Sequence, residues 1–315
     1  MNGPNRPPVV AESADRVLAR AVALGGGHGQ ARTLLALTQL ATHVTAIATV
    51  ADDGGSSGRL RRELGVLPPG DLRMALSTLT EVPVLQALVE HRFSAGSLEG
   101  HSLGNLIILA LAEIEGGFTA GLATLARLLG IAHAVLPSTE TDVHLAATGP
   151  SGATIVGQAS IANTAGVTDL RLVGGLPIAA PAAVAAIEAA ELIVLGPGSV
   201  CTSLVPNLLV PGIAAAVVAA RAPVLLVGNL DEQDGEGEGR SVCDHLDMLE
   251  AAAPGLRIDH VLMHQGPLVR SDRAPMAAGA GLATRAPELV CADLVDATGG
   301  HDPTLLAAAI RRLVT

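Results

Sequence analysis

Twice in this chain a short apolar run stops abruptly at a glycine-rich loop. Residues 21–24 run into Gly25-Gly26-Gly27-His28-Gly29, and residues 192–195 run into Gly196-Pro197-Gly198-Ser199. A four-residue apolar run bounded by glycine reads as a buried strand. Residues 30–40 then carry Leu34 and Leu37 at helical spacing, so the first loop joins a strand to a helix. Residues 44–50 are β-branched and end at Asp52-Asp53, which completes a βαβ unit. A second series alternates in the same way: helix 182–190, strand 192–195, helix 211–220, strand 224–227, helix 242–251 and strand 258–263, with helix 302–313 closing the chain. Strands that alternate with helices lie parallel and need crossovers over the sheet faces. The expected fold is therefore α/β: a Rossmann-like, largely parallel sheet with helices on both faces.

Between the two series the pattern changes. From residue 58 to 130 the β-branched runs disappear and Leu-rich stretches dominate, which predicts a mostly helical insertion with Asp71 as an N-cap. Alternation returns at residues 132–136, 143–147, 153–156 and 170–173, as antiparallel strands at one edge of the sheet or as a small flap. Residues 1–18 are polar and Pro-rich without the apolar stretch of a signal peptide, and read as a flexible segment before a single domain at 19–315.

Composition narrows the function classes. Of the 315 residues 49% are hydrophobic and 16% charged, which is a packed globular chain and not a disordered one. Residues 192–220 contain no Asp, Glu, Lys or Arg, yet Gly196-Pro197-Gly198, Pro206-Asn207 and Pro211-Gly212 break the run too often for a membrane span. Two Phe, no Tyr and no Trp leave no aromatic platform for a base or a sugar. A net charge of −11 is a poor footprint for nucleic acid or an anionic membrane. The three cysteines, Cys201, Cys243 and Cys291, are too far apart for a CxxC site or a disulfide framework, which points to a reducing cytoplasm.

Three stretches can carry chemistry. The first loop offers backbone N–H groups at a helix N-terminus, as a phosphate site does, but Gln30 or Arg32 stands where a dinucleotide fingerprint needs its third glycine. A plain tight turn is the alternative. The second loop, with Ser199, Thr202 and Ser203, has the same layout, and a helix starting near Ser199 would suit a diphosphate. Residues 51–62, ADDGGSSGRLRR, place Asp52 and Asp53 at the end of the second strand beside Ser56, Ser57 and the arginines 59, 61 and 62. Those carboxylates could accept from a ribose hydroxyl, hold a divalent cation beside phosphates, or act as a general base. A Ser-capped polar loop is the alternative there. The ten histidines lack zinc spacing, so no metal site is assigned. No GxSxG elbow is present, and Cys201 and Cys243 read as small buried residues. Residues 231–238, DEQDGEGE, read as a mobile acidic surface loop over the strand ends.

Together these motifs resemble the gluconeogenesis factor family, also called the UPF0052 family of YvcK-like proteins, related in fold to 2-phospho-L-lactate transferase. The resemblance runs nearly end to end: VALGGGHG at 22–29, VADDGGSSGRLR at 50–61, LPPGDLR at 67–73, EGHSLGNL at 99–106, LPSTETDVHL at 136–145, LIVLGPGSVCTSLVPNLLVPGI at 192–213, VGNLDEQDGE at 227–236 and HDPTLLAAAI at 301–310. It implies a nucleotide-sugar-binding regulator whose ligand is UDP-N-acetylglucosamine or a relative, with no cofactor required, supporting cell shape and growth on gluconeogenic carbon sources. A cell-wall or carbon-metabolism protein is the implied partner, and a homo-oligomer is allowed. Carried over by position, the binding residues are Gly25, Gly26, Gly27, Gly29, Asp52, Asp53, Ser56, Ser102, Asn105, Gly196, Gly198, Ser199, Ser203, Asn207, Asn229 and Gln233. The runner-up is a phospholactate-transferase-like enzyme moving a group from a nucleoside diphosphate donor, with Asp52 or Asp53 as its catalytic carboxylate. Departures from the family pattern fall at His28, Cys201, Asp231-Glu232 and Arg240. With aromatics missing, the planar guanidinium of Arg240 is the expected rest for a base or sugar face.

Overall fold

The computed structural model describes residues 16–269, 273–282 and 288–315. Most of the flexible segment expected at 1–18 lies outside them, and Leu18 already opens the first strand. Strands β1 (Leu18–Gly25), β2 (Ala41–Ala48), β3 (Ala134–Pro137), β7 (Leu192–Leu195), β8 (Val224–Val227), β9 (His260–His264) and β10 (Glu288–Ala292) form one parallel sheet in the order β10-β9-β8-β7-β1-β2-β3. The chain winds outward from β1 to β3, returns to the middle at β7, and winds outward the other way. This is the α/β Rossmann-like fold expected.

Side-chain alternation explains why both faces are covered. Ala21, Ala23, Leu192, Val194, Leu225 and Val227 point into one core, and Val22, Leu24, Ile193, Leu195, Val224 and Leu226 into the other. Strands buried on two faces read as continuous apolar runs. The first core is closed by α1 (Gly27–Thr38), α3 (Gly70–Leu79), α5 (Leu103–Glu115), α6 (Phe118–Leu128) and α12 (Pro303–Val314). The second is closed by α8 (Pro181–Glu188), α9 (Val205–Leu208), α10 (Pro211–Ala219) and α11 (Val242–Ala252). With α2 (Gly55–Leu64) and α4 (Pro83–Glu90), helices α3, α5 and α6 make the insertion helical as expected.

Alternation did not reveal partners. Strand β3 joins the main sheet parallel to β2, whereas β4 (Val143–Thr148), β5 (Thr154–Val156) and β6 (Thr168–Gly174) form a separate antiparallel sheet in the order β5-β4-β6. The short helix α7 (Gln158–Ala162) packs on that small sheet. The edge strand β10 had no signal in the sequence reading, because its alternation is short and its neighbours are polar. Among the described residues no single helix is long and apolar enough to cross a membrane, and the helical pair Val200–Leu208 and Pro211–Ala219 bends by 82°.

Candidate functional site

Strand β1 passes into α1 through Gly26, extended, and Gly27, whose φ of +60° is a left-handed conformation suited to glycine. Gln30 fills the place of the fingerprint's third glycine and is buried. Its amide donates to the carbonyls of Ala23 at 3.1 Å and Ile47 at 2.9 Å, locking α1 to β1 and β2. The free end of α1 is already met by a carboxylate, since the Gly27 N–H donates to Asp71 Oδ1 at 3.1 Å. Asp71 was expected to cap its own helix. Instead Pro69 occupies the N-cap of α3, and Asp71, inside the first turn, turns across to the N-terminus of α1. Burial, then the nearby charge of Asp52, pushes the Asp71 carboxyl up to about 7.

The second loop is built differently. Gly198, at φ +119°, is pinched by Asn229: its N–H donates to Oδ1 at 2.6 Å, and Nδ2 donates to its carbonyl at 3.0 Å. Ser199 caps a five-residue π-type helix, Val200–Leu204, accepting from the Thr202 N–H at 2.8 Å. Ser199 Oγ also donates to the carboxylate of Glu236, with Thr202 Oγ1 at 3.5 Å from the same oxygen. The acidic stretch 231–238 is therefore not the mobile surface loop expected. Gly235–Gly237 forms one 3-10 turn, and Glu236 is 4% exposed. A buried carboxylate in a polar pocket needs donors, and Ser199 and Thr202 supply them. Burial raises the Glu236 pKa while the two hydroxyl bonds pull it down.

The two loops touch. A Cβ on Gly29 would fall on the carbonyl of Pro197, so only glycine lets α1 approach the second loop. Ser203 Oγ lies against Gly26, and the Asn207 amide donates to the carbonyls of Ser203 at 2.7 Å and Gly25 at 3.4 Å. Gly196 sits over Thr33 and Gln30 of α1. Above this junction opens a cleft of about 250 Å³ that includes His28, Gly29, Arg32, Gly198, Asn229 and Gln233 in its lining. His301, another lining residue, is held neutral by burial with its pKa lowered to about 4, its Nε2 at 3.2 Å from the Gly228 carbonyl. The cleft lies at the carboxyl ends of β1, β7 and β8, where the winding reverses, which is the binding position in open parallel sheets.

The acidic pair separates. Asp52 accepts from the Gly54 N–H at 2.9 Å and the Ser57 hydroxyl and lies beside Gly70; burial raises its pKa despite those bonds. Asp53 accepts from the Ala159 N–H at 2.9 Å, with its other oxygen against Gly157, so it ties α7 and the small sheet to the loop between β2 and α2. Asp52 still feels the charge of Asp53, and it is also the charged group that, after burial, raises the carboxyl of Asp71. Among the described residues no group of three or more His, Cys, Asp or Glu side chains is arranged for a metal ion.

Ser56, Ser102 and Asn105 gather elsewhere. Ser56 Oγ lies 3.1 Å from His101 Nδ1, accepts from Asn105 Nδ2 at 3.1 Å and from the Ser102 N–H at 3.4 Å, forming a buried polar knot between α2 and α5. Arg240 is in neither place. Its Nε and Nη2 donate to the carbonyls of Glu236 at 2.7 Å and Val167 at 2.6 Å, on the wall of a second cleft with Leu170 and Met248. The structure thus brings together the glycines, Ser203, Asn207, Asn229 and Gln233, and sets Ser56, Ser102, Asn105, Asp53 and Arg240 apart. Sequence reasoning missed Asp71, Glu236, Arg32 and His301. The stretches LPPGDLR and DEQDGEGE carried the signal for the first two, but not which loop each carboxylate reaches.

The sequence matches the family described as 2-phospho-L-lactate transferase CofD over residues 21–284. A relative from Mycobacterium tuberculosis named "Putative gluconeogenesis factor" is 44% identical over 303 residues, 92% of this chain and 88% of that one. The "Gluconeogenesis factor" of Halalkalibacterium halodurans is 39% identical over 261 residues, 81% of this chain and 80% of the relative. A relative in a Nostoc species is 44% identical over 248 residues, 78% of this chain but only 54% of the relative, so this chain spans about half of that protein. A crystal structure of a UPF0052-family protein from Bacillus halodurans superposes with a TM-score of 0.87 at 34% identity, over 93% of this chain and 98% of that one. Matches this long, on the fold that builds the cleft, place the chain in the CofD-like family, among the UPF0052 proteins known as gluconeogenesis factors.

Proposed function

We propose that this protein is a nucleotide-sugar-binding regulator that takes UDP-N-acetylglucosamine in the cleft between its two glycine loops. The observation that carries the reading is the cleft itself, at the point where the sheet reverses, with loop backbone from Gly29 and Gly198 on its walls. The diphosphate lies over the two loops, Arg32 supplies a cation at the rim, and the amides of Asn229 and Gln233 bond ribose or sugar hydroxyls. Work in the cytoplasm, a cell-wall or carbon-metabolism partner, and a role in cell shape and gluconeogenic growth complete the proposal. The test is a dye-based thermal shift, since the chain lacks Trp and Tyr. At ~100 times Kd the ligand adds about 2.7 kcal/mol, enough for several degrees. Equal shifts from UMP and the nucleotide sugar would remove the diphosphate from the cleft.

A second reading rests on one specific observation, the Asp52–Asp71 carboxylate pair beside the first loop. A carboxyl held near pH 7 is suited to take a proton from an acceptor hydroxyl, as a transferase of the family's described type requires. Asp71 would be the base, its pKa held up first by burial and then by the charge of Asp52. Sustained UDP release by the wild type that disappears in Asp71→Asn, with binding retained, would decide for the enzyme.

A further inference from the structure

Beyond the glycine-loop cleft, a separate open cleft of about 490 Å³ lies at the other end of the Ser56 knot, lined by Gly55, Ser56, Arg59, Arg92, Glu99 and Gly100 among others. Its geometry follows from a hairpin-like segment between α4 and α5. Phe93 N–H donates to the His101 carbonyl, Gly100 N–H to the Phe93 carbonyl, and Arg92 bridges Ser102. Gly96 and Gly100, at φ +75° and +76°, let this segment turn. Arg92 donates to the Gly100 carbonyl at 3.1 Å and Arg59, from α2, to the Glu99 carbonyl, so one turn draws two guanidinium groups to the same wall.

Neither arginine has a carboxylate within ion-pair distance among the described residues, although the chain carries eleven more acidic than basic side chains and no lysine. Behind them Arg73 is buried with an unpartnered Nε, and it feels the charge of Arg92 strongly enough, after burial itself, to lower its pKa. Arg73 and Arg92 thus repel each other, and the charges of Glu90 and Asp71 offset burial and that repulsion at Arg73 only in part. The fourth contribution is α2, a ten-residue helix whose Gly54 N-cap has no side-chain bond, so its first N–H groups at Gly55 and Ser56 border the cleft.

We propose that this cleft binds a phosphoryl group, free or on a small ester, with Arg59 and Arg92 as its two guanidinium contacts and the N-terminus of α2 at its inner wall. Guanidinium forks match the oxygens of a phosphate, and a dianion beside Arg92 relieves its repulsion with Arg73. The Glu99 side chain at the rim opposes the bound anion. This site goes beyond the nucleotide-sugar reading and stands whether or not that ligand binds.

The test is calorimetric titration of the full chain with inorganic phosphate, glycerol 3-phosphate and acetate at fixed ionic strength. Wild type should bind one phosphate per chain at this site, and losing one charged hydrogen bond in Arg59→Gln or Arg92→Gln should weaken it about tenfold. The double variant should lose the binding event at this cleft, whereas Arg32→Gln in the glycine-loop cleft should leave that event unchanged and Glu99→Gln should tighten it. Arg59→Lys keeps the charge and should restore most of the affinity, which a merely collapsed turn would not. Tighter binding of glycerol 3-phosphate names an ester as the source, and equal binding names free phosphate. The proposal is overturned if the double variant leaves phosphate affinity and stoichiometry unchanged, if all binding vanishes in Arg32→Gln, if acetate binds as well as phosphate, or if nothing binds at millimolar concentration.

Discussion

The two glycine loops look like copies in the sequence and are built on opposite plans. The first opens a regular twelve-residue helix whose end is met from a distance, by Asp71 of the helical insertion. The second opens a five-residue π-type helix that caps itself through Ser199 and is backed by Glu236, with Pro206 and Pro211 dividing the helices that follow. In each case a buried carboxylate already occupies donors that a phosphate would use. A glycine loop after a strand thus specifies where an anion can sit, and the rest of the chain decides what competes for the place.

The first way to sharpen this contrast is pH. Asp71 holds its proton to about 7 in the folded chain, far above an ordinary unfolded carboxyl, so the folded state binds the proton more tightly. The stabilisation is complete below about pH 4 and is lost as pH rises through 7, a fall of about 4 kcal/mol for a shift from 3.8 to about 7 at ~1.4 kcal/mol per pKa unit. Asp71→Asn should flatten that fall in urea unfolding measured from pH 4 to 8; an unchanged slope would mean that another group titrates.

The second way is steric. Gly29→Ala drives a methyl into the Pro197 carbonyl and should cost about 2 to 3 kcal/mol, as overpacking does. Gly198→Ala meets open space but a disfavoured φ, and should cost about 1 to 2 kcal/mol. If denaturant melts reverse that order, the contact between loops is not the tighter constraint.

Glu236→Gln tests the second loop's carboxylate. The substitution keeps an acceptor for Ser199 and removes a buried charge, so apo stability at pH 8 should rise, by about 1 kcal/mol. Affinity for UDP-N-acetylglucosamine should rise with it, and a weaker ligand would show that Glu236 bonds the sugar instead of competing with the phosphates. The smallest effect is expected from Ser199→Ala made on top of Glu236→Gln, where no buried charge is left short of a donor: about 1 kcal/mol or less for a lost N-cap, read as a shift in Tm. A loss several times larger would make Ser199 the anchor of the whole 231–238 turn.

The strand-loop-helix units were legible because the inner halves of β1 and β2 and the whole of β7 and β8 are largely apolar or β-branched and run toward glycine or aspartate, so both their existence and their parallel pairing follow from local pattern. Strands β3 to β6 show the limit. Alternation reports that a strand has two unlike faces but not which neighbour it meets, and β3 went to the main sheet while the others formed their own. At the site the glycines and Asn229 were readable from their loops. Asp52 and Asp53 were read together, whereas in the loop after β2 their hydrogen bonds part: Asp53 reaches the Ala159 N–H, while Asp52 bonds Gly54 and Ser57 and acts on Asp71, nineteen positions on. Arg240 was drawn toward the ligand by the absence of aromatics, whereas its donors are committed to backbone carbonyls of Glu236 and Val167.

The interior position of β1 in the sheet has a kinetic consequence. Its second partner, β7, pairs Leu192 with Ala21, so the strand waits for a neighbour that the chain makes about 170 residues later. At synthesis rates of ~5 to 20 residues per second that is roughly 10 to 30 s with one edge of the sheet open. During that interval β1 and β2 present an apolar strand edge to any other chain, and closing so long a loop makes β7 docking a slow step. Refolding from urea should accordingly show a slow phase that tracks burial of β7, and aggregation during expression should be worst for chains truncated between the helical insertion and β7.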